Sequence, residues 1–384
     1  MQHANAPETA RAPGPPDAAG YRRPPILVGY TYEPGEAYRA RDEGRLLAVR
    51  LETNRTCNLR CRYCYAESGG GEEVPYAVLA DVVAQAAALR ARSVVVIGGG
   101  EPTLHPRFRE LIERIHALGM TPVVFTNGLR VDATLARFLA DHGASVMGKL
   151  DSLREDVQDF LAGRRGAARL IRRGLECLMD AGLGRADDGG RLRLGASFVT
   201  CRMNLPEIED IWHFCRARGI FPNMEVLTPT GRANDQLADQ GLTTEEVQAY
   251  KSRLLELDRA HYGYDWLPYT PLAASGCLQH LYSLYVTAEG HVRPCAPTKF
   301  DEHPALRRDG TYPHNVRRRS LREIYDDPLF AYVRHIDRHL EGKCAGCEHL
   351  DECIGCRGYA YAVGVRAGKD PRAALRSECL QCAK

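Results

Sequence analysis

From residue 46 onward, short apolar runs alternate with longer segments whose apolar positions recur at helical spacing. Leu46 to Leu51 reads as a strand, and Val78, Leu79, Val82, Val83, Ala86 and Leu89 mark a helix over 76–91. Ser93-Val94-Val95-Val96-Ile97 then has the unbroken, β-branched character of a strand buried on both faces. The helix Pro106–Leu118 opens with a proline and stops at Gly119. After it come strand Pro122–Phe125, helix 132–141, strand Ala144–Leu150, and helices 154–161 and 168–181. Strand Leu192–Val199, helix 206–218 and strand Phe221–Leu227 complete the series. Six strands alternating with helices predict an α/β fold built from right-handed βαβ units on a parallel sheet. Six units make a partial (β/α)6, TIM-like barrel, with its chemistry at the C-terminal ends of the strands.

The rhythm stops near residue 235. Helix 243–258 is followed by Tyr262, Tyr264, Trp266 and Tyr269 among prolines, read as covering a domain junction or lining a pocket. A cysteine-rich region follows. The boundaries are therefore a tail over 1–25, a core over 26–235, a connection over 236–276 and a cysteine-rich domain over 277–384. The tail holds Pro7, Pro13, Pro15, Pro16, Pro24 and Pro25 among small residues, a composition that builds no core and predicts disorder.

A hydrophobic fraction of 44% and a charged fraction of 26% suit a soluble globular chain. A formal charge of +2 gives no electrostatic case for nucleic acid. No apolar stretch approaches the roughly 20 residues of a membrane helix, and no signal peptide opens the chain. The expected location is the cytoplasm.

The 14 cysteines change the picture. Disulfides do not persist in that compartment, and thiols clustered at short spacing there point to metal. Cys57, Cys61 and Cys64 form a C-x3-C-x2-C triplet just after the first strand. Three thiolates on one loop can ligate three irons of a four-iron cubane and leave the fourth open to a ligand. A structural zinc site is the alternative, but it needs four ligands and no fourth lies nearby. One βα unit later comes Gly98-Gly99-Gly100-Glu101-Pro102, where glycines admit a close backbone approach and the acid can pair with an ammonium group.

The triplet, the GGEP turn and the six βα units together resemble the radical S-adenosylmethionine (SAM) superfamily. The resemblance implies that Cys57, Cys61 and Cys64 hold a [4Fe–4S] cluster whose open iron binds SAM. Reductive cleavage then gives a 5′-deoxyadenosyl radical, with an electron donor such as flavodoxin or ferredoxin as partner. It further implies that Tyr63 packs on adenine and that Gly99, Gly100, Glu101 and Pro102 meet the SAM amino group. Asn127, Asp151, Ser152 and Asn204 lie at later strand ends where the family contacts SAM, and Arg164 or Arg165 is a candidate for its carboxylate.

The C-terminal region reads Cys277, Cys295, then Cys344-x2-Cys347-x5-Cys353-x2-Cys356, then Cys379-x2-Cys382. Its middle block alone also suits tetrahedral zinc. Beside the radical SAM features it is similar to the SPASM extension, which carries two auxiliary clusters. The family pattern would assign Cys277, Cys295 and Cys356 to the first and Cys344, Cys347, Cys353 and Cys379 to the second. Cys382 either completes the first cluster or leaves it with an open iron. The chain departs from the pattern in the spacing of Cys353 and Cys356, and in having Tyr282 and Ser283 where some members carry an extra cysteine.

Family membership sets the initiation step and not the outcome. The preferred reading is oxidation or epimerisation of a small natural-product intermediate resembling a sugar, aminocyclitol or nucleoside. About 45 residues precede the first strand, too few for the recognition domain of many peptide maturases. Maturation of a ribosomal peptide or protein side chain is the alternative. Cys201, just past the fifth strand, is expected to face the barrel mouth as a hydrogen-atom donor, or else to be a buried structural thiol.

Overall fold

A computed structural model describes residues 20–66 and 72–382. Six parallel strands follow one another in chain order: β1 (Ala48–Glu52), β2 (Ser93–Ile97), β3 (Thr121–Thr126), β4 (Ser145–Lys149), β5 (Leu194–Thr200) and β6 (Phe221–Val226). This is the expected partial barrel, with strand ends within about two residues of those read from the sequence. Two further strands were not anticipated. β7 (Ser283–Val286), from the cysteine-rich region, pairs parallel to the free side of β1, and β8 (Val292–Arg293) returns antiparallel to it. The described sheet is thus eight-stranded, in the order β6-β5-β4-β3-β2-β1-β7-β8. Segments of four and two residues are too short to show periodicity, so only pairing reveals them.

Alternation along the strands divides the sheet's two faces. In β1, Val49 and Leu51 join the helix-side core with Leu79 and Val83. Arg50 and Glu52 therefore point to the inner face. Ile97, Phe125, Lys149, Ser197 and Glu225, one from each of β2 to β6, border the same interior. Strands covered on both sides are ordinarily apolar throughout. Four charged residues on this inner face, Arg50, Glu52, Lys149 and Glu225, mark where the chemistry sits.

Residues 1–19 of the expected tail lie outside the described residues. The rest of that segment is ordered: Arg22 N–H donates to Gly263 O at 3.0 Å. Val28 and Leu192 continue the pairing, and Tyr30, 4% exposed, plugs the barrel floor 5.3 Å from the Phe125 ring. Helix Thr244–Tyr262 begins with a capping box between Thr243 and Glu246. Its fully buried Asp258 accepts the indole N–H of Trp212 at 2.8 Å and of Trp266 at 2.9 Å. Trp266 therefore covers the junction.

Candidate active site

The cysteine loop after β1 is pinned on two sides. On one, Arg60 and Arg62 N–H groups donate to Ala162 O and Leu161 O, at the end of helix Glu155–Ala162. Gly163 (φ 64°) caps that helix, and a Cβ there would lie 2.2 Å from Arg60 O, so only glycine fits. On the other side, Gly100 N–H donates to Asn54 O at 2.7 Å and Glu101 N–H to Thr56 O at 2.8 Å. A Cβ on Gly100 would come within 2.0 Å of Thr56 O. The glycines of the GGEP turn thus let the β2 end lie flat against the segment that launches the thiols.

Cys57, Cys61 and Cys64 border a cavity of about 340 Å³. Tyr63, Gly100, Glu101 and Asn127 border it too. Glu101 is 2% exposed. Its Oε1 accepts from Thr103 N–H and Oγ1 and from Thr126 Oγ1 at 3.2, 2.7 and 2.6 Å. Among the described residues its Oε2 accepts only the Asn127 N–H, at 2.8 Å. Burial pushes its carboxyl upward, opposed by these bonds. Tyr63 donates to Asp151 Oδ1 at 2.7 Å, and Lys149 Nζ contacts both Tyr63 and Asp151.

Several expected residues lie elsewhere. Gly99 faces Glu52 and Arg55, and Pro102 is buried at the start of a single 3-10 turn. Asp151, fully buried, sits behind Tyr63. Ser152 donates to Glu207 Oε1 at 2.5 Å. Asn204 ties two strand ends together through Asp151 O and Val199 O at 2.8 and 2.9 Å. Arg164 braces the cysteine loop from outside, donating to Asn58 O at 3.2 Å. Arg165 is exposed.

Cys201 does not reach the barrel mouth. β5 ends at Thr200, and the Cys201 N–H turns to Asn204 Oδ1 at 2.8 Å. That turn sends the thiol into an apolar cluster with Val157, Leu161, Leu227, Ala233 and Leu237. Its parity matches Ser197 and Val199, but the strand has already ended.

Cys277, Cys295 and Cys356 border the same cavity. Cys295 and Cys356 are brought together because helix Arg357–Arg366 starts beside them: a Cβ on Gly358 would lie 3.1 Å from the Cys295 sulfur. Cys344, Cys347, Cys353, Cys379 and Cys382 border a second cavity of about 410 Å³. Cys382 therefore lies with the second set, not the first. Fully buried Lys251 donates to Thr270 O at 2.6 Å beside that set. Burial pushes its ammonium down to about 8, and the neighbouring thiols oppose the shift.

These thiols fit multi-iron clusters. Burial pushes Cys61 up to about 11 and Cys353 up to about 12, and neighbouring thiolates add to both shifts. Cationic metal offsets such a penalty. Backbone N–H groups of Leu59, Gly355 and Tyr359 already point at the Cys57, Cys353 and Cys356 sulfurs at 3.3–3.4 Å. Among the described residues, no three His, Cys, Asp or Glu converge closely enough to hold one metal ion.

Sequence reasoning missed Arg50 and Glu225 as lining residues. The available signal was a charge at an inward, period-two position of an otherwise apolar strand.

An open α/β barrel with a three-thiol loop at its mouth, and further thiol sets facing it, defines a cluster-bearing enzyme. Residues 51–189 match the family model of the radical SAM superfamily, and residues 277–348 match that of an iron-sulfur cluster-binding SPASM domain. The chain is 27% identical over 350 residues to the mycofactocin maturase MftC of Mycobacterium tuberculosis, covering 87% of this chain and 83% of that one. It is 25% identical over 364 residues to the AdoMet-dependent heme synthase of Oleidesulfovibrio alaskensis, covering 85% and 86%. Streptococcus suis SuiB bound to precursor peptide SuiA shares the fold, with a TM-score of 0.63 at 16% identity, covering 86% of this chain and 74% of that one. Native anSMEcpe with bound AdoMet and Cp18Cys peptide gives 0.60 at 16% identity, covering 82% and 90%. A SAM-binding [4Fe–4S] cluster and auxiliary clusters go with these two domains. Among the described residues no helix is long and apolar enough to cross a membrane.

Proposed function

We propose that the chain is a maturase, modifying a residue of a peptide or protein seated in the cavity that two thiol triplets border. The carrying observation is that one cavity borders both Cys57, Cys61 and Cys64 and Cys277, Cys295 and Cys356. A substrate carbon held there lies between the SAM site and an acceptor for its electron. In this reading the first triplet holds the SAM-binding cluster, the second triplet holds one auxiliary cluster and the five-thiol set holds the other. When bound, the first cluster and SAM supply hydrogen-atom abstraction. The chain's own residues position the reactants. Oε2 of Glu101 keeps a free lone pair toward the cavity for an ammonium, while Lys149 and Tyr63 form a polar wall beside Cys61.

The maturase relative and the peptide-bound SuiB structure favour this over the small-molecule expectation. The heme synthase relatives support a small-molecule substrate as the second reading. Anaerobically reconstituted enzyme, SAM and a low-potential reductant are incubated with peptides encoded beside its gene. A SAM-dependent mass change in a peptide, with matching 5′-deoxyadenosine, is expected. Turnover confined to small molecules would reverse the choice.

A further inference from the structure

One cation bordering the cavity has no ion-pair partner within salt-bridge distance among the described residues. Arg50 lies in the middle of β1 on its inner face and is 5% exposed. Its Nε and Nη2 are buried and have no hydrogen-bond partner among the described residues. The other cations bordering the cavity have partners, although Arg357 Nε has none among the described residues. Lys149 contacts Asp151 and Tyr63, and Arg357 Nη1 donates to Leu375 O and Ser377 O at 2.8 and 2.7 Å. Glu225 faces the same space but accepts from Asn223 Nδ2 at 3.1 Å and forms no ion pair with Arg50 among the described residues.

The guanidinium is also held in place. Its carbon lies 5.1 Å from the centre of the Tyr30 ring, and Tyr30 is itself fixed by its hydroxyl donating to Asn223 Oδ1 at 3.3 Å. A planar, positioned fork with two unpartnered nitrogens matches an oxyanion. A buried charge left unpaired is costly, so the site favours a ligand that pairs it. Glu225, which borders the same cavity, would repel a dianion such as phosphate more than a monoanion, and the largely aromatic and aliphatic surroundings suit a single negative charge.

We propose that Arg50 anchors a carboxylate of the substrate, so that whatever is modified in this cavity is presented by an acidic group. The inference rests on the cavity being the substrate site. The carboxylate comes from a peptide C-terminus, an Asp or Glu side chain, or a small acid, and the test separates these. The competing role is charge balance for a cluster at Cys277 and Cys295, both of which lie within electrostatic reach of Arg50.

The SAM-loaded, anaerobically reconstituted holoenzyme is presented with four probe pools, and retention is read by ultrafiltration and mass spectrometry. The pools are N-acetyl tetrapeptide acids without acidic side chains, tetrapeptide amides carrying one Asp or Glu, neutral tetrapeptide amides, and N-acetyl amino acids with their methyl esters. At least one acidic pool should be retained about tenfold or more over its neutral counterpart. Arg50→Gln should erase that preference by about ten- to a hundredfold, the range of a charged hydrogen bond, and Arg50→Lys should keep part of it. The pool retained identifies the source of the carboxylate. Retention of small acids alone, still dependent on Arg50, keeps the anchor and removes the peptide reading. The wild-type comparison of acids with neutral partners stands even where a variant folds poorly. Equal retention of acids and amides, retention of no pool, or a preference unchanged in Arg50→Gln overturns the proposal. So does an Arg50→Gln effect limited to iron content, cluster potential or SAM affinity.

Discussion

Glu101 gives the sharpest test of how the active-site end of the barrel is held together. Its carboxylate accepts four hydrogen bonds at 2.6–3.2 Å, which join the GGEP turn to the end of β3. Glu101→Ala leaves two hydroxyls and two backbone N–H groups without that acceptor. A single unmet buried donor costs about 1–3 kcal/mol. The four are not additive, because the hydroxyls can rotate and water can enter from the adjoining cavity. The expected loss is therefore about 3–5 kcal/mol, the range found when a buried charged network is broken. Glu101→Gln keeps an oxygen for the three bonds at Oε1 but sets an amide N–H against the Asn127 N–H, so about 1–2 kcal/mol should be lost. Urea unfolding of the metal-free protein measures this stability term apart from any cofactor. SAM affinity of the reconstituted protein then measures the free lone pair of Oε2, with a loss of about ten- to a hundredfold expected for Glu101→Ala. Unfolding midpoints that coincide for wild type and both variants would refute the buttress. Unchanged SAM affinity would confine Glu101 to that buttress.

Three further outcomes are expected. Anaerobically reconstituted protein should hold about twelve irons, from three four-iron clusters; replacing Cys57, Cys61 and Cys64 by Ala should remove about four and abolish SAM cleavage, whereas zinc in place of iron would defeat the auxiliary assignment. Asp258→Leu should destabilise by about 3–5 kcal/mol because it strands Arg216, which donates to Asp258 at 3.0 and 2.7 Å. The chain has two tryptophans and both bond to Asp258, so an unaltered fluorescence spectrum in the variant would contradict this geometry. Asp301 is pushed upward by burial, but His291 and Arg293 outweigh that and hold it well below the usual carboxylate range. Its contribution to stability is therefore present above the unfolded value of about 4 and lost as pH falls from there toward its folded value. An Asp301→Asn variant with the same acid-unfolding profile as wild type would show that the pair does not matter.

The alternation of apolar runs with helical periodicity was enough to read β1 to β6 and their helices, because each unit buries its own face locally. The metal chemistry was equally legible, since ligands within one loop are constrained by chain spacing alone: Cys57, Cys61 and Cys64 had to lie together. Distant partners were not. Cys382 was expected to complete the first auxiliary set or to leave it open, and only the folded C-terminal turn brought it beside Cys344, Cys347, Cys353 and Cys379. Cys201 had the right parity to face the barrel, but a turn one residue beyond β5 redirected its thiol into apolar packing. β7 carries too few residues to announce itself and exists because β1 offers an unpaired edge. Arg50 and Glu225 stand 175 positions apart in sequence numbering, on strands β1 and β6. Curling of the sheet makes them neighbours across one cavity, and no local pattern encodes a closure that depends on the summed twist of all the strands between them.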